Sequence, residues 1–209
     1  MIRIIKMPNN LPLNWCECKL EAVCSLDNGQ KQEGFELPLL DAKYLRGKKE
    51  PEYRSEGVIL YPEDFVILVD GENSGEIFSI FQKGIMGSTF KKLNISSFCS
   101  VPYILYFIKS NQDLFRTNKK GAAIPHLDKA LFKNLILSLP PLAEQERIVA
   151  KIEALFANID SGVEKLKAAQ AQIKQYRQSV LSAAFSGKLY KTTEWKDIKL
   201  SDITNALGG

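Results

Sequence analysis

Three stretches of this 209-residue chain collect side chains that donate hydrogen bonds or carry positive charge, the groups needed to grip phosphates and base edges. The first is a basic run with an aromatic inside it: Lys43, Tyr44, Arg46, Lys48, Lys49 and Arg54. The second, residues 84–92, joins small residues that permit close backbone approach to the hydroxyls of Ser88 and Thr89 and to the paired Lys91 and Lys92. The third holds Arg116, Asn118, Lys119 and Lys120. Gln30, Lys31 and Gln32, after the Asp27-Asn28-Gly29 turn, make a weaker fourth group. The plain alternative for each of these loop-like stretches is solvated surface, since lysine runs are usually just that.

Other chemistries find no footing. The close cysteine pairs among Cys16, Cys18, Cys24 and Cys99 are separated by one and by five residues, whereas structural zinc sites space paired ligands by roughly two to four. Cys16 and Cys18 would share one face of a strand and are read as core residues, so no metal site is expected. His126, the single histidine, follows Pro125 and is read as structural. A DNA adenine methyltransferase needs an Asn/Asp-Pro-Pro-aromatic motif, but Pro140-Pro141 is flanked by Leu139 and Leu142. Asp64, Asp70 and Glu72 lack a lysine at the short spacing of a nuclease centre. Nucleophile elbows and phosphate-binding glycine loops are not evident. The expectation is a chain without catalysis or a cofactor of its own.

The composition, 45% hydrophobic and 25% charged, is that of a folded globular protein, and the net charge of +4 is too mild to decide a partner. No apolar run reaches membrane-spanning length, and the first residues do not read as a signal peptide. A cytoplasmic location is expected.

The elements that must position the donors fall into two parts. From about 143 to 185, apolar or small residues recur at steps of four and three: Ile148, Ile152, Leu155, Ile159, Gly162, Leu166, Ala169, Ile173, Tyr176, Val180 and Ala183. That is a heptad seam on one helix about 65 Å long at 1.5 Å per residue. Pro140-Pro141 opens it, Gly187 is placed to cap it, and Gly162 could bend or interrupt it. An apolar stripe of that length needs a helical partner.

Before Pro140 the pattern changes. Residues 58–60, 65–69, 77–81 and 90–95 read as strands between turn residues, and 102–111 and 127–135 as short helices. The fold class is α+β: a mixed α/β domain with a mainly antiparallel sheet, then a long coiled-coil-type helix. The expected divisions are 1–139, 140–189 and 190–209. In the last part Trp195, Lys199, Leu200, Ile203 and Gly209 echo Trp15, Lys19, Leu20, Val23 and Gly29 at a constant offset of 180, as though a second copy of the first domain begins there.

Leu137-Ser-Leu-Pro-Pro-Leu-Ala-Glu-Gln-Glu-Arg-Ile-Val149, the helix after it and Ser182-Ala-Ala-Phe-Ser-Gly-Lys-Leu189 closely resemble the conserved region of specificity subunits from type I restriction-modification systems. The stretch 62–75 resembles the central strand and glycine turn of their target-recognition domains, and 119–127 the segment before the conserved region. The resemblance implies sequence-specific binding of double-stranded DNA, one recognition domain reading half of a bipartite site. It implies methyltransferase (modification) subunits as partners, with a restriction subunit as a further one, and S-adenosylmethionine, ATP and Mg²⁺ residing in those partners. Full-length members carry two recognition domains and two antiparallel helices, so this chain resembles a half-subunit. A second copy would then pair through Ile148, Ile152, Leu155, Ile159, Leu166, Ile173, Tyr176 and Val180. Two rival readings are a coiled-coil scaffold that binds only protein, and a recognition subunit of another restriction class with a combined methylase-nuclease partner.

Overall fold

A computed structural model describes residues 11–12, 14–118, 125–189 and 198–199. In chain order its elements are β1 (Cys16–Lys19), a 3-10 turn (Leu20–Ala22), β2 (Cys24–Asp27), β3 (Lys31–Leu40), α1 (Ala42–Leu45), β4 (Tyr53–Leu60), β5 (Phe65–Leu68), β6 (Ile77–Ser79), β7 (Gly84–Met86), β8 (Phe90–Ile95), α2 (Val101–Ser110), α3 (Gln112–Thr117), α4 (Lys129–Asn134), β9 (Ile136–Leu139) and α5 (Leu142–Phe185). The chain divides into two compact units, Met1–Ile152 and Glu153–Gly209. Every strand pairing is antiparallel except β3 with β7. The α+β class with a mainly antiparallel sheet and a long helix is therefore the observed one.

The first unit is layered about a four-stranded sheet of order β2-β8-β5-β6. Successive strand side chains point to opposite faces, and β5 uses both. Ile67, with Val69 just beyond the strand, enters a core shared with Ile104 and Ile108 of α2, Phe115 of α3 and Phe132 of α4. Val66 and Leu68 enter a second core with Leu40, Leu60, Ile80 and Phe90. A strand covered on both faces needs no polar alternation, which is why 65–69 is one unbroken apolar run. Helices thus close one face of the sheet, and β3, β4 and β7 close the other.

Those three strands each pair with the other two, forming a closed unit. Between the pairs Glu33↔Glu56 and Leu37↔Arg54, four steps along β3 match two along β4, a bulge that bends β3. Gly84 is obligatory at the closure: a methyl added there would sit 2.6 Å from Leu40 Cγ and 2.7 Å from the Pro38 carbonyl oxygen. At the other end of the domain β1 pairs with β9, so the strand that opens the described chain lies beside the one that leads into α5. Tyr103 Oη donates to the Ser138 carbonyl at 2.7 Å and ties α2 to β9.

The helix α5 runs 44 residues without a break, so Gly162 does not interrupt it. Its first turns belong to the domain. Gln145 is 1% exposed, and its amide works in two directions. The Nε2 group donates to the Pro140 carbonyl at 2.9 Å, and Oε1 accepts the Ser100 backbone N–H at 2.8 Å. Ser100 is the N-cap of α2, and its own side chain makes no capping bond. One buried glutamine therefore joins the starts of two helices. Val149, one turn on, is also buried.

At its other end α5 closes with Lys188 N–H to the Ala183 carbonyl and Gly187 N–H to Ala184, with Gly187 at φ 72°. That double bond pattern around a left-handed glycine is a Schellman cap. In the second unit, Leu155, Ile159, Leu166, Ile173 and Tyr176 are 48–72% exposed. Of the described chain, only Ile198 and Lys199 fall within the expected tail 190–209; the echo of Trp15 at Trp195 lies outside the described residues.

The expected strands correspond to β4, β5, β6 and β8, and the expected helices to α2 and α4. Asp128 caps α4, its Oδ1 accepting from Ala130 N at 2.9 Å and Leu131 N at 3.2 Å. The cysteine reading needs one correction. Cys24 and Cys99 are buried and Cys18 packs against the first core, but Cys16 is exposed, its Sγ 3.6 Å from the Leu139 carbonyl. Burial pushes the Cys24 thiol up to about 12, leaving it inert at neutral pH. No described helix is long and apolar enough to cross a membrane.

Replacing Gln145 by leucine leaves the Ser100 N–H without its acceptor and is expected to cost about 1–3 kcal/mol of unfolding free energy. Its exposed neighbour Glu146→Gln should stay within about 0.5 kcal/mol; the difference is read from urea midpoints at unchanged m. Gly84→Ala forces contacts against backbone at the β3–β7 closure, and overpacking of this kind costs about 1–3 kcal/mol. Thermal unfolding of the variant against wild type measures it.

Candidate nucleic-acid interface

The outer face of the β3–β4–β7 unit carries an open concavity of about 1130 Å³. Its walls come from β3, α1, β4 and the turn between β7 and β8, which bring residues distant in sequence to one place. Lys43 of α1, Lys49 and Arg54 line it together with Ser88, Thr89 and Lys91. Lys31, of the weaker fourth group, lines it as well. Two of the three donor-rich stretches therefore converge. Half of these six come from regular elements and not from loops: Lys43 lies on α1, Arg54 on β4 and Lys91 on β8, whereas Lys49, Ser88 and Thr89 lie in the turns between elements.

Local structure decides which of these cations are free. Asp41 caps α1, accepting the Tyr44 N–H at 2.9 Å, and holds Lys49 Nζ at 2.8 Å. Glu52 holds the same ammonium at 2.9 Å and lies 3.4 Å from Arg54. Hydrogen bonds to Asp41 and then Glu52 raise the Lys49 pKa, and Lys49 in turn lowers that of Glu52. Burial works to raise the Asp41 pKa, but the bonds from Lys49 and the Tyr44 N–H outweigh it and the net direction is down. Lys49 is thus the hub of an ion cluster in the lining of the groove. Lys43 and Lys31 are exposed, with the Ser88 side chain likewise open, while Lys91 hydrogen-bonds the Asn28 side chain across the β2–β8 pair. Glu56 adds a carboxylate among them.

Other candidates are built into the domain. Arg46 forms an ion pair with Glu76, and its guanidinium sits 5.6 Å from the Phe78 ring centroid. Tyr44 is half-buried, its hydroxyl accepting from Gln82 Nε2 at 2.6 Å. Lys92 pairs with Asp64 at 2.7 Å. Lys48 is exposed but does not line the groove. In the third stretch, Arg116 lies on α3, 3.7 Å from Asp113, and Asn118 donates to the Leu114 carbonyl at 2.9 Å, closing that helix. Neither lines the groove, and Lys119 and Lys120 lie outside the described residues. His126 meets Asp70 at 2.6 Å where residues 125–127 return beside the end of β5, a structural contact.

Sequence reasoning passed over Asn28, Ser55 and Glu56, which share the groove. Asn28 carried a signal as part of the Asp27-Asn28-Gly29 turn. Nothing local marks Ser55 or Glu56, whose position depends on the pairing of β4 with β3. The groove has donors for phosphate oxygens, hydroxyls and carboxylates for base edges, and walls set by backbone pairing. Among the described residues no three His, Cys, Asp or Glu side chains are grouped to hold a metal ion.

Comparison with known proteins gives the family of the chain. A family model for the type I restriction modification DNA specificity domain matches residues 12–171. The specificity subunit of the type I restriction enzyme MjaVIII from Methanocaldococcus jannaschii is 30% identical over 194 residues, covering 86% of this chain and 45% of that protein. The crystal structure of an HsdS subunit from Thermoanaerobacter tengcongensis aligns with a TM-score of 0.59 and 25% identity, over 88% of this chain and 47% of that one. A chain from a structural study of type I R-M complex assembly and conformational transition gives a TM-score of 0.66 at 22% identity, over 88% and 48%, and supports the fold alone. The chain spans about half the length of the relatives it matches. With the family model covering most of its length and both cores of the domain, the chain belongs to the type I restriction modification DNA specificity family.

Proposed function

We propose that this chain is a non-catalytic reader of double-stranded DNA in a type I restriction-modification system, taking one half of a bipartite site into the groove of the β3–β4–β7 unit. The observation that carries the reading is the partition of its cations. Lys49, Arg46 and Lys92 are committed to carboxylates within the domain. Lys43 and Lys31 are exposed on the groove, which Ser88, Thr89 and Lys91 also line. Phosphates are gripped by mobile cations and read-out is made by fixed polar groups, which is the division this wall offers.

Methylation and cleavage then belong to partner subunits, which bring S-adenosylmethionine, ATP and Mg²⁺. Methyltransferase subunits are the docking partners, with a restriction subunit as a further one. The exposed stripe of α5 is covered by the same helix of a second copy, making a two-fold reader suited to an inverted repeat, since site symmetry mirrors protein symmetry. A scaffold that binds only protein would have no use for the groove.

Lys43→Ala with Lys31→Ala in the full chain is expected to weaken binding to duplex DNA at all sequences and to reduce the slope of log affinity against log salt by about one per lysine. Lys48→Ala, exposed but outside the groove, serves as control. Fluorescence anisotropy across a salt series measures both. An unchanged slope in the double variant, with circular dichroism intact, would remove the groove from the DNA interface and favour the scaffold.

A further inference from the structure

Three carboxylates line the groove among its cations: Asp41, Glu52 and Glu56. Two are already paired, since Asp41 and Glu52 both hold Lys49 Nζ, at 2.8 and 2.9 Å. Glu56 is different. It is exposed, and among the described residues no cation or hydrogen-bond donor meets its side chain. Its cross-strand partner in the β3–β4 pairing is another carboxylate, Glu33, and like charges directly opposite each other destabilise a sheet. Arg54, two residues back on the same face of β4, turns to Glu52 at 3.4 Å. The lone carboxylate therefore has no evident use within the domain.

The backbone beneath it is held on both sides. Glu56 pairs with Glu33 at the edge of the bulge, the next pair being Arg54 with Leu37, and a bulge re-aims the side chains beside it. The following residue, Gly57 at φ 145°, lies against Ile85 of β7, whose Cγ2 would stand 2.4 Å from an added methyl. Glu56 thus rises into the groove from a strand paired with both of its neighbours, which suits a group that must meet a base edge in one place.

A carboxylate accepts hydrogen bonds and donates none. Phosphates repel it, so it weakens binding to every DNA sequence that offers it no donor. In the major groove guanine presents two acceptors, and thymine an acceptor and a methyl group. Adenine sets its N6 donor beside the N7 acceptor, an edge matched by the amide of Asn or Gln. Cytosine presents its N4 amino group without an acceptor next to it. Resting on the DNA reading above, we infer that Glu56 is a specificity-determining residue of the groove, accepting from the N4 amino group of one cytosine in the half-site. The free lysines set how tightly DNA is held, and Glu56 sets which base is accepted at one position.

Selection from a duplex DNA library with randomised positions, carried out on the full-length chain, tests this. The wild type should enrich a motif containing a fixed cytosine. Glu56→Ala should flatten that one position, losing about tenfold of discrimination or more. It should also bind the unselected library more tightly, because a repulsive charge is gone. Glu56→Gln, which keeps the shape of the side chain, should move the preference at the same position from cytosine to adenine. Glu33→Gln, the opposed residue that does not line the groove, should leave every position as it was. Circular dichroism checks the fold of each variant. A motif identical in the wild type, Glu56→Ala and Glu56→Gln would overturn the role of Glu56 and leave the groove standing. A wild-type chain that enriches no motif, or whose DNA binding survives the loss of Lys43 and Lys31, overturns both.

Discussion

The architecture depends on one strand having no solvent face. β5 sends Ile67 and Val69 into one core and Val66 and Leu68 into another, so the sheet that contains it must be covered twice. The helical cover includes α2, and the N-terminus of α2 is satisfied by Gln145, which sits in the first turn of α5. The opposite cover is the closed β3–β4–β7 unit, whose outer face is the groove. The groove and the start of the long helix are thus held by elements packed on opposite faces of one sheet. Burying an apolar side chain contributes about 1.5–3 kcal/mol, so the four residues of β5 and its extension outweigh any single surface ion pair at about 0–1 kcal/mol. The ion cluster around Lys49 therefore shapes the groove more than it stabilises the fold.

Much of this was legible in the residues. The unbroken run 65–69 announced a strand, and Asp128 marked the start of α4 through its capping oxygen. The heptad steps of α5 survived as one helix because a glycine on a long helix costs only about 1 kcal/mol. What the sequence did not reveal was β3, where Gly34 and Pro38 interrupt the strand pattern and only the bulged pairing with β4 holds it extended. β7 is three residues long and was read as a donor-rich loop, since strands that short carry no period. The same limits governed the site. Residue type singled out the cations of the groove, but it could not separate Lys43, which is exposed, from Arg46, which is spent on Glu76 thirty residues away. That distinction is made by tertiary pairing alone.

The helix shows the converse. Its seam was read from spacing, but the structure divides it between two duties. Gln145 and Val149 are buried in the first unit, with Ile148 and Ile152 half-buried, whereas Leu155 onward carries the exposed stripe. The block Pro140-Pro141-Leu142-Ala143-Glu144-Gln145, the part of the resemblance with the most specific residues, turns out to be an anchor: its glutamine bonds Pro140 and Ser100 at once. The stretch that carries the resemblance is here a hydrogen-bonding device.

If this fold directs chemistry that its partner subunits perform, co-expressing the chain with a type I methyltransferase subunit and mapping adenine methylation across the host genome should reveal new methylation at a split motif whose two halves are inverted repeats of each other. A stable complex of the two proteins that leaves the methylation pattern unchanged would contradict it.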